Sequence, residues 1–346
     1  MKTQKVGRWL NIAACLITSI TLNAAHEMPV DTTSLFQEWQ KQDALKFDLE
    51  FDINLMLSQR NSENTVPAIL KFKKGKKEEI TWNAEIRTGG RYRLKVCDFP
   101  PLRIRLSKEE LRARGFSGHN SFKLVTHCKE DRTETDVTLA KEGLVYQIYQ
   151  QLSEYCLQVK MVRITYRDII TGKKMTRTGV LIEDDDEMAD RLGGELCKDC
   201  YGTSPSQIEP KNQLTQALFQ YMIGNTDWSL EMNRNVEIMT LRQKGVMVAV
   251  PFDFDFSGFV NAPYAVPDAN LGLKSIRERA FKGQAVDKDT AKAVCDLFIS
   301  RKKVIRQLIE KAPGLNWDQR QDLLAYISDF YAQLEGGSLM GVISRL

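Results

Sequence analysis

Between residues 47 and 106, apolar and polar side chains alternate in short runs. Phe47, Leu49, Phe51, Ile53 and Leu55 are separated by Asp48, Glu50, Asp52 and Asn54, the period of two expected of a half-buried strand. Similar runs at 68–72, 79–86, 92–96 and 102–106 predict further strands, punctuated by a lysine-rich stretch at 73–77 and by Gly89-Gly90. A short strand is expected at 122–126. A helix follows at 138–155, where Leu139, Val145, Tyr146, Tyr149 and Leu152 form an apolar stripe. Two strands at 159–166 and 176–182 flank the turn Thr171-Gly172-Lys173. The acidic run 183–187 then opens a helix, where carboxylates complement the helix dipole. Beyond a Gly-, Ser- and Pro-rich loop at 202–210 the pattern becomes helical, with the clearest helices at 291–312 and 318–334. The order of a strand-rich part followed by a helix-rich part predicts an α+β chain with two lobes.

Composition narrows the class. With 42% hydrophobic and 27% charged residues in 346, the chain has material for a core and is neither disordered nor a multi-span membrane protein. The formal charge of +4 is concentrated at the start: residues 1–25 carry Lys2, Lys5 and Arg8 and no acid, and without them 46 basic residues face 45 acidic ones. That basic start, the apolar stretch 9–22 and the small residues Ala24-Ala25 read as an export signal, too short for a lasting membrane span. The expected mature chain therefore lies in the periplasm or outside the cell and keeps no membrane span. The near-neutral body gives no nucleic-acid footprint, and Arg301-Lys302-Lys303 reads as a solvated helix face. Six cysteines remain, at 97, 128, 156, 197, 200 and 295, an even number that permits disulfides in an exported protein. Cys197 and Cys200 stand as a local disulfide or two loop thiols, with an exported redox role as a third reading of the chain.

The chemistry concentrates between residues 213 and 258. A helix at 213–222 ends at Gly224, followed by Asn225-Thr226-Asp227 and then by Asn233 and Asn235. A hairpin over 236–250 runs into Pro251-Phe252-Asp253-Phe254-Asp255-Phe256. Phosphoryl transfer needs a carboxylate to orient the acceptor, and an amide oxygen with a second carboxylate to hold Mg²⁺ on the phosphates. The phenylalanines flanking Asp253 and Asp255 place these acids at the edge of a core, where a carboxylate needs a partner or a metal.

From Ile86 to Gly258 the chain resembles the spore-coat kinase CotH family, an atypical branch of the protein-kinase-like fold. The resemblance rests on Arg87-Thr88-Gly89-Gly90-Arg91-Tyr92-Arg93-Leu94, Leu102-Arg103-Ile104-Arg105-Leu106, Phe122-Lys123-Leu124-Val125, Gly179-Val180-Leu181-Ile182-Glu183, Gly224-Asn225-Thr226-Asp227 and Pro251-Phe252-Asp253-Phe254-Asp255, in that order. It implies a two-lobed kinase-like fold: an extension over 26–85, then a kinase-like domain over 86–346 with lobes at 86–183 and 184–346. It also implies a kinase that uses Mg²⁺ and ATP on a protein or small hydroxyl acceptor. Asp227 would orient that acceptor. Lys123 would contact phosphate with Glu142 as its ion-pair partner, and Glu183 would contact the nucleotide at the end of the strand leading to the interlobe linker. Asp253 would be the principal metal ligand, joined by Asn235 or Asn233 and by Asp255. The offsets of 6 and 8 residues from Asp227 leave the two asparagines open. The competing expectation is an exported module that keeps the fold, binds a partner at the cell envelope and catalyses nothing.

Overall fold

The alternating runs near the start form strands that close on themselves. In a computed structural model, which describes Met1, residues 33–74 and residues 78–345, seven strands make one barrel. They are β1 (Leu45–Phe51), β2 (Val66–Lys74), β3 (Glu78–Thr88), β4 (Leu102–Leu106), β5 (Ser121–Val125), β6 (Val159–Asp168) and β7 (Lys174–Ile182). The order around the barrel is β1-β2-β3-β4-β5-β7-β6. Neighbours are antiparallel except at the closure, where β6 runs parallel to β1 with Phe47 opposite Ile164. Residues 33–345 belong to one compact unit, and the export-signal segment lies outside the described residues. The tip of the lysine-rich hairpin, 75–77, lies outside them too.

The barrel overturns the two-lobed kinase-like expectation. The strand-rich part is a closed mixed barrel with most of the helices after it, and the boundary expected at 85/86 falls inside β3. Period-two alternation tells which side chains face a core; it does not tell which strand edges meet. Closure depends on β1 and β6, far apart in sequence, pairing in parallel, and no local signal announces that.

The barrel interior is filled by inward residues such as Leu49, Leu70, Ile86, Leu124 and Leu181, joined by Leu35, Phe36 and Trp39 of α1 (Leu35–Gln40). Trp39 is fully buried against Phe47, Phe72 and Phe122, with ring centroids 4.9, 5.5 and 4.9 Å away. The barrel's other face serves a second core. On β7, Leu181 points to the interior while Val180 and Ile182 pack with α5 (Arg132–Tyr149) and the helices that follow. Gly143 on α5 makes this approach feasible, since a Cβ there would lie 2.6 Å from Met161 Sδ.

Three local expectations shift, the first being the helix expected at 138–155, which runs Arg132–Tyr149 behind an Asp131 cap. The first strand stops at Phe51, because the Asp52 carboxylate accepts from Leu55 N at 2.9 Å and caps α2 (Ile53–Ser58). Residues 92–96 are not a strand: α3 (Arg93–Val96) turns Arg93 into the protein, where it is 5% exposed. Between these and the C-terminal part lie α4 (Lys108–Ala113), α6 (Asp185–Arg191) and β8 (Gly194–Leu196). β8 pairs with β9 (Val236–Leu241), and β9 with β10 (Met247–Pro251). Helix α7 (Pro210–Ile223) ends at Gly224 in the left-handed conformation, φ 64°. The chain closes with α8 (Lys288–Glu310), α9 (Trp317–Glu335) and α10 (Met340–Ile343). Among the described residues no helix is long and apolar enough to cross a membrane.

Candidate functional site

The β9–β10 hairpin brings the two halves of the expected site together. Pro251 pairs with Val236, so Asn235 and Phe252 leave the ladder side by side, and Phe252 N donates to Asn235 O at 3.0 Å. Both strand ends then turn sharply, with Asn235 at φ 52° and Asp253 at φ 58°. Left-handed backbone at non-glycine residues costs energy and concentrates at functional sites. Asn235 Nδ2 donates to the carbonyl and to the carboxylate of Asp227, at 2.6 and 3.0 Å. Asp227 Oδ1 accepts from Arg234 at 3.2 Å on the exposed side. The loop carrying Asp227 is held from behind by Lys282, whose ammonium donates to Thr226 O and Trp228 O at 2.6 and 2.7 Å. Trp228 and Leu230 pack into a small core with Cys200, which is bonded to Cys197.

The barrel contributes the cation. Lys123 on β5 is half-buried, its ammonium 5.0 Å from the centroid of the Phe252 ring. It makes no hydrogen bond or ion pair with any described residue. On β4, Arg103 is its cross-strand neighbour. Burial works against ionisation of Asp253, but Lys123 and then Arg93 hold its carboxyl below the usual range, so it is charged. Glu237 on β9 behaves in the opposite way: burial, reinforced by Asp185, lifts its carboxyl to about 7 against the pull of Lys123 and Arg103.

Asp253 is anchored by a residue that the sequence reading passed over. Arg93 donates from Nε to Asp255 Oδ2 at 2.8 Å, and from Nη2 to both Glu142 oxygens at 2.9 Å and to Asp253 Oδ1 at 3.2 Å. Asp253 N in turn donates to the Tyr146 hydroxyl at 3.0 Å. Three carboxylates around one guanidinium leave an excess of negative charge. Burial, opposed by Arg93 and assisted by Asp255 and Asp253, accordingly raises Glu142 to about 7. Asp255 is raised as well, by burial first and by Asp253, against the pull of Arg93.

Of the expected site residues, the structure gathers Asp227, Asn235, Asp253 and Lys123 along one chain of contacts through Phe252. Glu142 pairs with Arg93, not with Lys123. Asp255 pairs with Arg93 Nε at 2.8 Å. Glu183 is 1% exposed, receives Arg191 on both oxygens at 2.7 and 2.8 Å, and caps Gln158 N at 2.9 Å. Asn233 is exposed in the turn before Asn235, its N–H bonded to Leu230 O. His127, fully buried and stacked on Phe99, is pushed by burial to about 3 and stays neutral.

A metal has a sparse donor set here. Among the described residues no group of three or more His, Cys, Asp or Glu is arranged to hold one. Asp253, 25% exposed and ionised, and the amide oxygen of Asn235, whose nitrogen is spent on Asp227, offer two oxygen donors. That set fits Mg²⁺, which takes one or two protein oxygens and completes its shell with water and substrate phosphate. No family model matches the chain, and no curated protein matches it.

Proposed function

We propose that the protein is a Mg²⁺-dependent phosphotransferase that moves a phosphoryl group from a nucleotide, ATP being the expected donor, to a hydroxyl on a protein or small molecule. The observation that carries this reading is Lys123: a half-buried ammonium that makes no hydrogen bond or ion pair with any described residue, near enough to Asp253 to keep that carboxylate charged. A cation in that position calls for an anion, and phosphate oxygens satisfy it. The motif order that resembles the CotH family supports the same reading.

In this proposal Lys123 holds the nucleotide phosphates, and Asp253 with Asn235 holds the metal. Bound Mg²⁺ would neutralise phosphate charge and orient the transferred group. Asp227 accepts a hydrogen bond from the acceptor hydroxyl and takes its proton as the new O–P bond forms and the nucleoside diphosphate departs. Its pair with Arg234 lies at the surface and is weak enough to rearrange. Arg93 acts at one remove, fixing the Asp253 carboxylate.

Calorimetric titration with Mg-ATP tests the reading. Binding should be measurable in the wild type, absent in Asp253→Ala and weakened at least tenfold in Lys123→Met, while Asp227→Asn should bind but not transfer. Wild-type protein that ignores every Mg-nucleotide overturns it.

A further inference from the structure

Arg93 touches more than the acids. It lines a cavity of about 250 Å³ whose walls come from α5, from the segment after β5 and from the loop at Pro263-Tyr264. Leu139, Pro263, the Tyr264 ring and the Cys97–Cys128 disulfide make most of that wall apolar. Its threonines are already satisfied: Thr138 donates to Glu134 O at 2.9 Å, Thr135 to Lys129 O at 3.2 Å, and Thr126 accepts from Tyr166 at 2.7 Å. Glu142, also on the wall, spends both oxygens on Arg93.

The guanidinium is where the satisfaction ends. Of its five N–H donors, Nε serves Asp255 and Nη2 serves Glu142 and Asp253, whereas Nη1 has no hydrogen-bond partner among the described residues. The side chain is only 5% exposed, yet Nη1 is not sealed from solvent, so an acceptor that enters the cavity can meet it. Three carboxyl groups already surround this one cation, and on the wall Glu134 offsets Lys129, so another anion gains no net attraction, whereas a neutral acceptor needs none. Size sets the rest. A dry apolar cavity of about 150 Å³ holds benzene, so this one has room for a single ring with a polar substituent.

We propose that the cavity beside Arg93 binds a small neutral molecule, one ring bearing a carbonyl oxygen, which accepts from Arg93 Nη1 while its ring packs on Leu139 and Pro263. The same guanidinium holds Asp253, so an occupant of the cavity bears on the Asp227–Asn235–Asp253 seam through a single side chain. The cavity's ligand-binding role stands independently of phosphoryl transfer.

Benzamide is the probe, titrated by calorimetry with toluene and benzoate as comparisons. Benzamide should bind with a Kd on the order of 1 mM or tighter, toluene more weakly, and benzoate at least tenfold more weakly. Thr138→Trp, which fills the cavity from α5 without touching the ion network, should abolish binding. Arg93→Lys, which removes Nη1 and keeps a charge, should reduce benzamide to the level of toluene. Should that variant fail to fold, Thr138→Trp carries the test alone. No benzamide binding, binding unaffected by Thr138→Trp, or benzoate binding as tightly as benzamide each overturns the proposal.

Discussion

Replacing Arg93 with Met keeps much of the side chain's length and removes the cation shared by Glu142, Asp253 and Asp255. Four hydrogen bonds of 2.8–3.2 Å disappear, and the carboxylates remain in place. Removing one partner of a buried ion pair costs about 3–5 kcal/mol when the remaining charge is stranded. The acids have a way out, because Glu142 sits near 7 even with Arg93 present and loses its main stabilising charge in the variant. A carboxyl raised above its unfolded value of about 4.5 binds a proton in the folded state that the unfolded chain has released. Its contribution to stability is full at low pH and falls as pH rises, by up to about 1.4 kcal/mol per pH unit. Arg93→Met should therefore lose about 3–5 kcal/mol at pH 8 and recover about half of that loss at pH 5.5. Adding Glu142→Gln should restore part of the pH 8 stability. Urea unfolding followed by circular dichroism at the two pH values reads all three. A loss below about 1 kcal/mol at pH 8, or a loss independent of pH, would refute the view that Arg93 neutralises a buried acidic cluster.

Other expectations follow from single features. Trp39→Ala should destabilise by about 3–5 kcal/mol in chemical denaturation, because it opens a cavity among three aromatic rings inside the barrel; a small effect would mean that α1 does not belong to the barrel core. Gly258→Ala should cost about 1–3 kcal/mol, since a Cβ there would lie 2.7 Å from Ile276 O and 2.8 Å from Arg277 Cα, backbone that cannot swing aside; unchanged stability would contradict that close approach. Burial raises Glu187 to about 7 despite its hydrogen bond from Ser34. Wild-type stability should thus fall between pH 5 and pH 8, and Glu187→Gln should flatten that fall, as thermal melts across the range would report. The Cys97–Cys128 bond spans 31 residues, and the loop-entropy relation gives its removal a cost of about 3–4 kcal/mol; melts of the Cys97→Ser, Cys128→Ser double variant measure it.

Much of this architecture is written locally, and the exceptions have a common cause. The strands at 68–72, 79–86, 102–106 and 159–166 and the helix ending at Gly224 follow from alternation and capping chemistry, which act over a few residues. The catalytic candidates were legible for a similar reason: the hairpin joining Asn235 to Phe252 can be read from its own turn. What stayed hidden is decided by distant partners. Residues 92–96 alternate like a strand, yet Arg93 is drawn inward by acids from α5 and from the end of β10, and α3 forms around it. The expected Lys123–Glu142 pair gave way to the same competition, since the rigid fork of Arg93 holds Glu142, Asp253 and Asp255 together. A sequence signal for Arg93 did exist. Asp253 and Asp255 among phenylalanines call for a partner or a metal, and a buried arginine is one side chain that can meet several carboxylates at once.

The parallel seam of the barrel also dictates an order of events. As the chain emerges from its N-terminal end, β1 can pair at once with β2, yet its other edge has no partner until β2 through β5 and the whole of α5 have been made and β6 arrives. During that interval a strand carrying Phe47, Leu49 and Phe51 presents open backbone to any neighbouring chain. Contacts between distant residues form slowly, and unpaired edges invite aggregation while they wait. The vulnerable moment for this protein is therefore its birth: truncation before residue 159 leaves a barrel that cannot shut, whereas the finished one offers no edge there at all.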